Sequence, residues 1–250
     1  MAGDHIRHNR AFWDADADAY QDTHGSWLGA SPRAWGAFRV PEADLRVLGD
    51  VAGLDVLELG CGAAQWSVAL AADGARVTGL DLSRSQLAHA RRASASVPLV
   101  CANGEQIPLR DDAFDVVFSD HGATSFCEPD ALLAEAARIL RPGGLLAFCV
   151  THPLLVLTWS REKERQTRKL QTGYDGLGRM DWGEGAIDWV LTAGEWVQAL
   201  GRHGFTVDRL VELTAPEGAT TTYTEFIPVE WARHWPGEWI WRARLSGVRT

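Results

Sequence analysis

The chain of 250 residues is long enough to bury a sizeable core, in one large domain or two small ones. Its composition, 46% hydrophobic and 23% charged, is that of a globular protein, and a formal net charge of -9 opposes phosphate backbones unless a basic patch forms locally. The 4 cysteines, Cys61, Cys101, Cys127 and Cys149, fit neither zinc spacing nor a disulfide framework, so a reducing cytoplasm is the expected compartment.

Residues 1–10 are polar and lack the apolar core of a signal peptide, and no apolar run approaches membrane-spanning length. Residues 7–24 and 41–50 read as helices with aromatic and small apolar faces. From 51 to 151 short apolar runs (55–59, 75–80, 97–101, 114–119 and 145–151) alternate with helical patterns. The runs are nearly continuous rather than alternating, as in strands buried on both faces of a parallel sheet. Ser83 with Gln86 reads as a capping box. Residues 130–140 put Leu132, Leu133, Ala136, Ala137 and Leu140 on one helix face and stop at Arg141-Pro142-Gly143-Gly144.

Residues 152–191 are rich in Trp, Gly and charge without a strand period, and the basic cluster at 161–169 is interleaved with acid and reads as a solvated helix face. Thr192 and Glu195 form a second capping box, opening a helix to about Arg202. Residues 205–213 and 238–245 alternate as half-buried strands, joined by 214–235. Strand–helix alternation predicts a doubly wound α/β sheet whose ligands lie beyond the carboxyl ends of its strands. The expected organisation is one domain: a helical cover (1–50), a core (51–151), a lid-like insertion (152–191), and a final helix with two strands (192–250).

The stretch VLELGCGAAQ (56–65) lies at the carboxyl end of the first strand. Two glycines around a cysteine suit either a tight turn or a loop that presents bare backbone to a ligand. The second strand ends at Gly79-Leu80-Asp81, where an acidic side chain grips a ribose in this architecture. Asn103-Gly104-Glu105-Gln106-Ile107-Pro108 forms a polar turn at the third tip, before Phe114-Asp115-Val116-Val117.

With Glu58-Leu59-Gly60-Cys61-Gly62, Asp81, 104–108, 114–117 and Arg138-Ile139-Leu140-Arg141-Pro142-Gly143-Gly144 in this order, the chain over about 51–150 resembles the class I S-adenosylmethionine-dependent methyltransferases. A nicotinamide-binding protein would want a third glycine where Ala63-Ala64-Gln65 stands. The resemblance implies a mostly parallel seven-stranded sheet with the last strand antiparallel. It also implies S-adenosylmethionine as cofactor, S-adenosylhomocysteine as its product, and methyl transfer to a small aromatic or apolar metabolite, as in secondary metabolism. On that resemblance Gly60, Cys61 and Gly62 cradle the methionyl part, with Glu58 beneath them placing the ammonium or merely capping the turn. Asp81 binds the ribose and Leu82 packs on the adenine. Asn103, Gly104 and Glu105 form the turn at the adenine edge, and Tyr20 closes over the cofactor's carboxylate. Asp120 and His121 face the transfer zone.

A hydroxyl acceptor benefits from a general base, and His121 and His152, at strand tips on the correct edge, are the candidates. Trp13 and Trp27 in the cover, with Trp159, Tyr174 and Trp182 in the insertion, are candidate walls for a flat acceptor, or simply glue the lid to the body. No carboxylate cluster demands a metal, no basic groove suits nucleic acid, and a monomer or homodimer without a membrane partner is expected. A binding or regulatory module with the same fold, or an enzyme using the sulfonium otherwise, is the alternative.

Overall fold

The computed structural model describes residues 3–94 and 96–247. Seven strands form the central sheet: β1 Asp55–Leu59, β2 Arg76–Asp81, β3 Leu99–Cys101, β4 Phe114–Asp120, β5 Leu140–Thr151, β6 Phe205–Leu213 and β7 Glu238–Leu245. Their order across the sheet is β6-β7-β5-β4-β1-β2-β3. The five strands β1 to β5 pair in parallel, whereas β7 runs antiparallel to both β5 and β6. The order reverses between β1 and β4, so their carboxyl ends flank the crevice where such sheets take ligands.

The apolar runs account for this placement. Leu57, Val117, Leu146 and Phe148 are fully buried on one face beneath helix α4 (Pro129–Ile139), and Val56, Phe118, Ala147 and Cys149 are fully buried on the other. Each such Leu or Phe withdrawn from water is worth about 1.5–3 kcal/mol. The other helices used below are α1 (Asp4–Tyr20), α2 (Gln65–Ala72), α3 (Arg84–Ala93) and α5 (Ala193–Arg202). At α5 both halves of the capping box form. At α3 only one half does: Ser83 accepts from the Gln86 amide, while the Gln86 side chain turns to Gln21.

Several expected elements differ. Strand β5 begins at Leu140 rather than 145, with a bulge: the step from Phe114 to Val116 faces the step from Leu140 to Leu145, and Gly143 takes φ 79° inside it. The first helix begins at Asp4 and passes through a π-turn, Gln21–Gly25, into a further turn of helix, Ser26–Ala30. Only Glu42–Leu45 of the 41–50 segment is helical, because Arg46 turns left-handed and the buried Glu42 carboxylate gathers the amides of Val47, Leu48 and Gly49. The basic cluster forms a turn between Trp159–Ser160 and Arg165–Gln166, which pair as a hairpin, and not a helix. A second hairpin in the insertion pairs Gly178–Asp181 with Ile187–Val190.

Buried Asn9 on α1 joins cover, core and insertion. Its amide donates to the carbonyls of Phe126 and Ile187 and accepts from the Ile187 amide. Among the described residues no helix is long and apolar enough to cross a membrane.

Candidate active site

The loop after β1 turns because Gly60 and Cys61 both donate their amides to the Leu80 carbonyl, at 2.7 and 2.9 Å. Its two glycines have different physical causes. Gly60 has φ 75°, and a Cβ there would stand 2.4 Å from the Ala123 nitrogen and 2.5 Å from the Gly122 Cα, so main chain after β4 excludes any side chain. Gly62 has φ 52°, but a Cβ there would meet nothing nearer than the Gln86 Oε1 at 3.8 Å. Bare backbone at Gly62 therefore borders open space, and that space is a cavity of about 370 Å³.

Part of the cavity's lining is acidic. Glu58 is buried under the loop and accepts from the Ser67 amide at 2.9 Å and its hydroxyl at 2.5 Å, which caps the first turn of α2. Burial, with Asp120 and Asp81 nearby, pushes the Glu58 carboxyl up to about 8. Asp81 accepts from the Gly62 and Ser83 amides, both at 2.8 Å, and burial still pushes it up to about 6. Leu82, Asn103 and Gly104 line the same cavity. Asn103 Oδ1 accepts from the Glu105 amide at 3.2 Å, fixing the turn.

Aromatic side chains line the same cavity. Tyr20 and Tyr223 join their hydroxyls at 2.6 Å, and the His24 ring stacks on Tyr223 with centroids 4.1 Å apart. Trp13 and Phe126 meet edge to face at 5.1 Å beside Tyr20. Asp120 and His121 line it too. Asp120 receives the Gly36 amide, Arg39 and the Trp66 indole N–H. His121 Nε2 lies 2.6 Å from Glu238 Oε1, and Phe226 meets its ring at 6.1 Å.

The atoms of Asp120, His121 and Cys149 that could hold a cation fall within 4.8 Å of one another. Arg39 at Asp120, Glu238 at His121, and a Cys149 thiol that burial pushes well above its usual value make this an ion-pair network.

The structure thus brings Trp13, Tyr20, Glu58, Gly60, Cys61, Gly62, Asp81, Leu82, Asn103, Gly104, Asp120 and His121 to one cavity. It does not bring the other sequence candidates there. Glu105 turns away to His5 at 2.5 Å and the Glu128 amide. His152 is a cap: its Nδ1 accepts from the Leu154 amide, its Nε2 faces Glu212, and burial depresses its pKa. Trp159 and Trp182 border a separate surface cleft, Tyr174 is 69% exposed, and Trp27 does not line the cavity. The aromatic wall comes instead from Tyr223 and Phe226, in the β6–β7 connection, with His24. Arg39 and Glu238 were also not singled out by sequence. Only Glu238 carried a signal, as an acid opening the apolar strand EWIWRARL.

Four carboxylates on one cavity (Glu58, Asp81, Asp120 and Glu238), two of them pushed up by burial, suit a ligand bearing positive charge, and the open backbone at Gly62 suits its close approach. A donor carrying a sulfonium and an ammonium fits that donor set.

Comparison with known proteins agrees. Residues 57–148 match the family described as "Methyltransferase domain". A solved S-adenosylmethionine-dependent methyltransferase from Mesorhizobium loti is 28% identical, with TM-score 0.67 over 81% of this chain and 95% of that one. The demethylmenaquinone methyltransferase of Clavibacter sepedonicus is 35% identical over 142 residues, 56% of each protein. The malonyl-[acyl-carrier protein] O-methyltransferase of Pectobacterium atrosepticum is 41% identical over 98 residues, 38% of each. The chain thus spans about half, or less, of the length of these curated relatives. Residues 57–148 thus carry a methyltransferase domain, and the fold is that of solved S-adenosylmethionine-dependent methyltransferases.

Proposed function

We propose that this protein transfers the methyl group of S-adenosylmethionine to a small aromatic or apolar metabolite in the cytoplasm. The observation that carries this reading is one cavity lined by the carboxylates of Glu58 and Asp81, by the rings of Tyr20, His24 and Tyr223, and by His121. The bound sulfonium supplies an electrophilic methyl and leaves as a neutral thioether. The chain's part is to align and to exclude water. Gly60 to Gly62 and Asp81 hold the donor, and Glu58 offsets its ammonium. The Tyr20–Tyr223 hydroxyl pair ties the N-terminal cover to the β6–β7 connection at the cavity wall. Flat rings pack well between such aromatic walls; of the relatives, one is named for demethylmenaquinone and another for a malonyl-[acyl-carrier protein], and the aromatic lining favours the ring. His121 is the candidate general base.

Tritium from labelled S-adenosylmethionine should pass into an organic-soluble product of a bacterial metabolite extract. His121→Ala should lower turnover at least tenfold (about 1.4 kcal/mol) at unchanged donor affinity. Donor binding without transfer to any fraction would favour a binding module instead, and equal turnover in both proteins would remove His121 as base.

A further inference from the structure

The backbone sets the direction of the His121 ring. His121 has φ 51°, and its amide donates to the Cys149 carbonyl at 3.1 Å. Its Nε2 thereby meets Glu238, which is 1% exposed and opens β7 opposite Thr151. The Glu238 oxygens both accept the Ala37 amide, at 2.8 and 3.1 Å. The preceding amide, of Gly36, goes to both oxygens of Asp120, at 3.0 and 3.3 Å. Two consecutive peptide N–H groups of the cover therefore hold the two carboxylates that flank His121. Gly36 has φ 67°, which favours glycine, and a Cβ on it would stand 2.5 Å from Glu238 Oε2, so a side chain here would push Glu238 aside.

We propose that Glu238, clamped by the Gly36–Ala37 turn, is the positioning residue that holds His121 as the Nε2–H tautomer, and that the acceptor is a compound bearing an ionisable hydroxyl. The inference rests on the methyl transfer proposed above and names the class of its acceptor.

A buried carboxylate taking the Nε2 proton leaves the Nδ1 lone pair as the base. Among the described residues no hydrogen-bond partner occupies Nδ1. A phenol or enol with a pKa near about 10 is protonated at neutral pH and profits from such a base; a carbon nucleophile without an acidic proton does not. In the step, the acceptor O–H bond breaks and its proton goes to Nδ1. The electron pair stays on oxygen, which bonds the methyl carbon, while the S–C pair returns to sulfur. The Glu238 carboxylate offsets the imidazolium charge, and the proton then leaves to water.

The other groups facing His121 are Asp120 on β4, Asp188 in the insertion hairpin, the Cys149 thiol at 3.6 Å on β5, and Arg39 of the cover across Asp120. Burial pulls the His121 pKa down, but the Glu238 bond, the Glu238 charge, Asp120 and Asp188 together lift it above its ordinary value. The base form is thus reached only as pH rises past that lifted value.

Above the pH at which His121 loses its proton, nitrogen-15 spectra of histidine-labelled protein without ligand should show it as the Nε2–H tautomer. Its titration should move to lower pH by about 1 unit or more in Glu238→Gln, and in the same direction in Gly36→Ala, which displaces Glu238. An unchanged His121 titration in both variants overturns the positioning role. In the transfer assay with a phenolic acceptor, Glu238→Gln should shift the ascending limb of the pH profile to lower pH and lower its plateau at least tenfold, with the donor KM within twofold. Transfer confined to C–H or N–H acceptors overturns the hydroxyl assignment. Absence of any transfer by the unaltered protein removes the methyltransferase reading, while the nitrogen-15 result still decides the Glu238–His121 pairing.

Discussion

Gly62→Asn is expected to leave the protein folded and to cost at least a hundredfold in donor affinity, about 2.7 kcal/mol. Asn tolerates the left-handed backbone at φ 52°, so the fold should lose only about 1 kcal/mol. Its side chain would occupy the space that Gly62 leaves open, since nothing of the protein lies within 3.8 Å of a Cβ there. Gly60→Ala is the control with the opposite signature. Its methyl would collide with the Ala123 nitrogen at 2.4 Å, and neighbouring main chain cannot step aside as a flexible side chain does. Strain and overpacking together should lower stability by roughly 3 kcal/mol, a shift that urea denaturation reads directly. Wild-type donor affinity in Gly62→Asn would mean that the loop is a turn and not a cradle.

Donor affinity is expected to climb with pH between about 5 and 8, by up to about tenfold per pH unit for each proton released, and to level off above. Burial raises Glu58 to about 8 and Asp81 to about 6, so at neutral pH Glu58 is mostly protonated before the donor arrives. An ammonium nearby, or ribose hydroxyls donating to Asp81, favour the ionised forms and expel those protons. The stability of the ligand-free protein should carry the opposite trend. A carboxyl with a raised folded pKa contributes its full stability below the unfolded value near 4.5 and loses it as pH rises through about 8. Melting temperatures without donor should therefore fall from pH 6 to 8.5, while the gain on adding donor grows. Glu58→Gln should flatten the Glu58 part of both trends. A donor affinity independent of pH from 5 to 8 would refute the charge pairing.

Much of the core was legible because strands buried on both faces must be apolar on both faces. Residues 55–59 match β1 residue for residue, and the runs 205–213 and 238–245 match the bounds of β6 and β7; β6 alternates as expected of an edge strand, whereas β7, expected half-buried, is buried on both faces because it lies between β5 and β6. The hairpins of the insertion were not legible, since strands of two to four residues hold too few positions to show a period. The Leu140 start of β5 was masked by Arg141-Pro142-Gly143, which reads as a stop but is accommodated as a bulge.

The site followed the same division. Gly60, Gly62 and Asp81 sit at strand tips, where local sequence and the sheet's handedness suffice to place them. Glu238 begins a strand far along the chain, and only its antiparallel pairing opposite Thr151 carries it to His121. Tyr223 and Phe226 lie in a connection without regular period, so nothing local announced that they, rather than Trp159, Tyr174 and Trp182, would wall the cavity. The partner of Asp120 was equally hidden, because Arg39 reaches it from a left-handed turn in the cover.

Titration calorimetry of the purified protein with S-adenosylmethionine and with S-adenosylhomocysteine at pH 7.5 tests the central claim most directly. The account predicts saturable one-to-one binding of both, with proton release that differs between buffers of unlike ionisation heat and a hundredfold weaker isotherm for Gly62→Asn. No heat of association with either compound, in a protein that melts cooperatively, would contradict it.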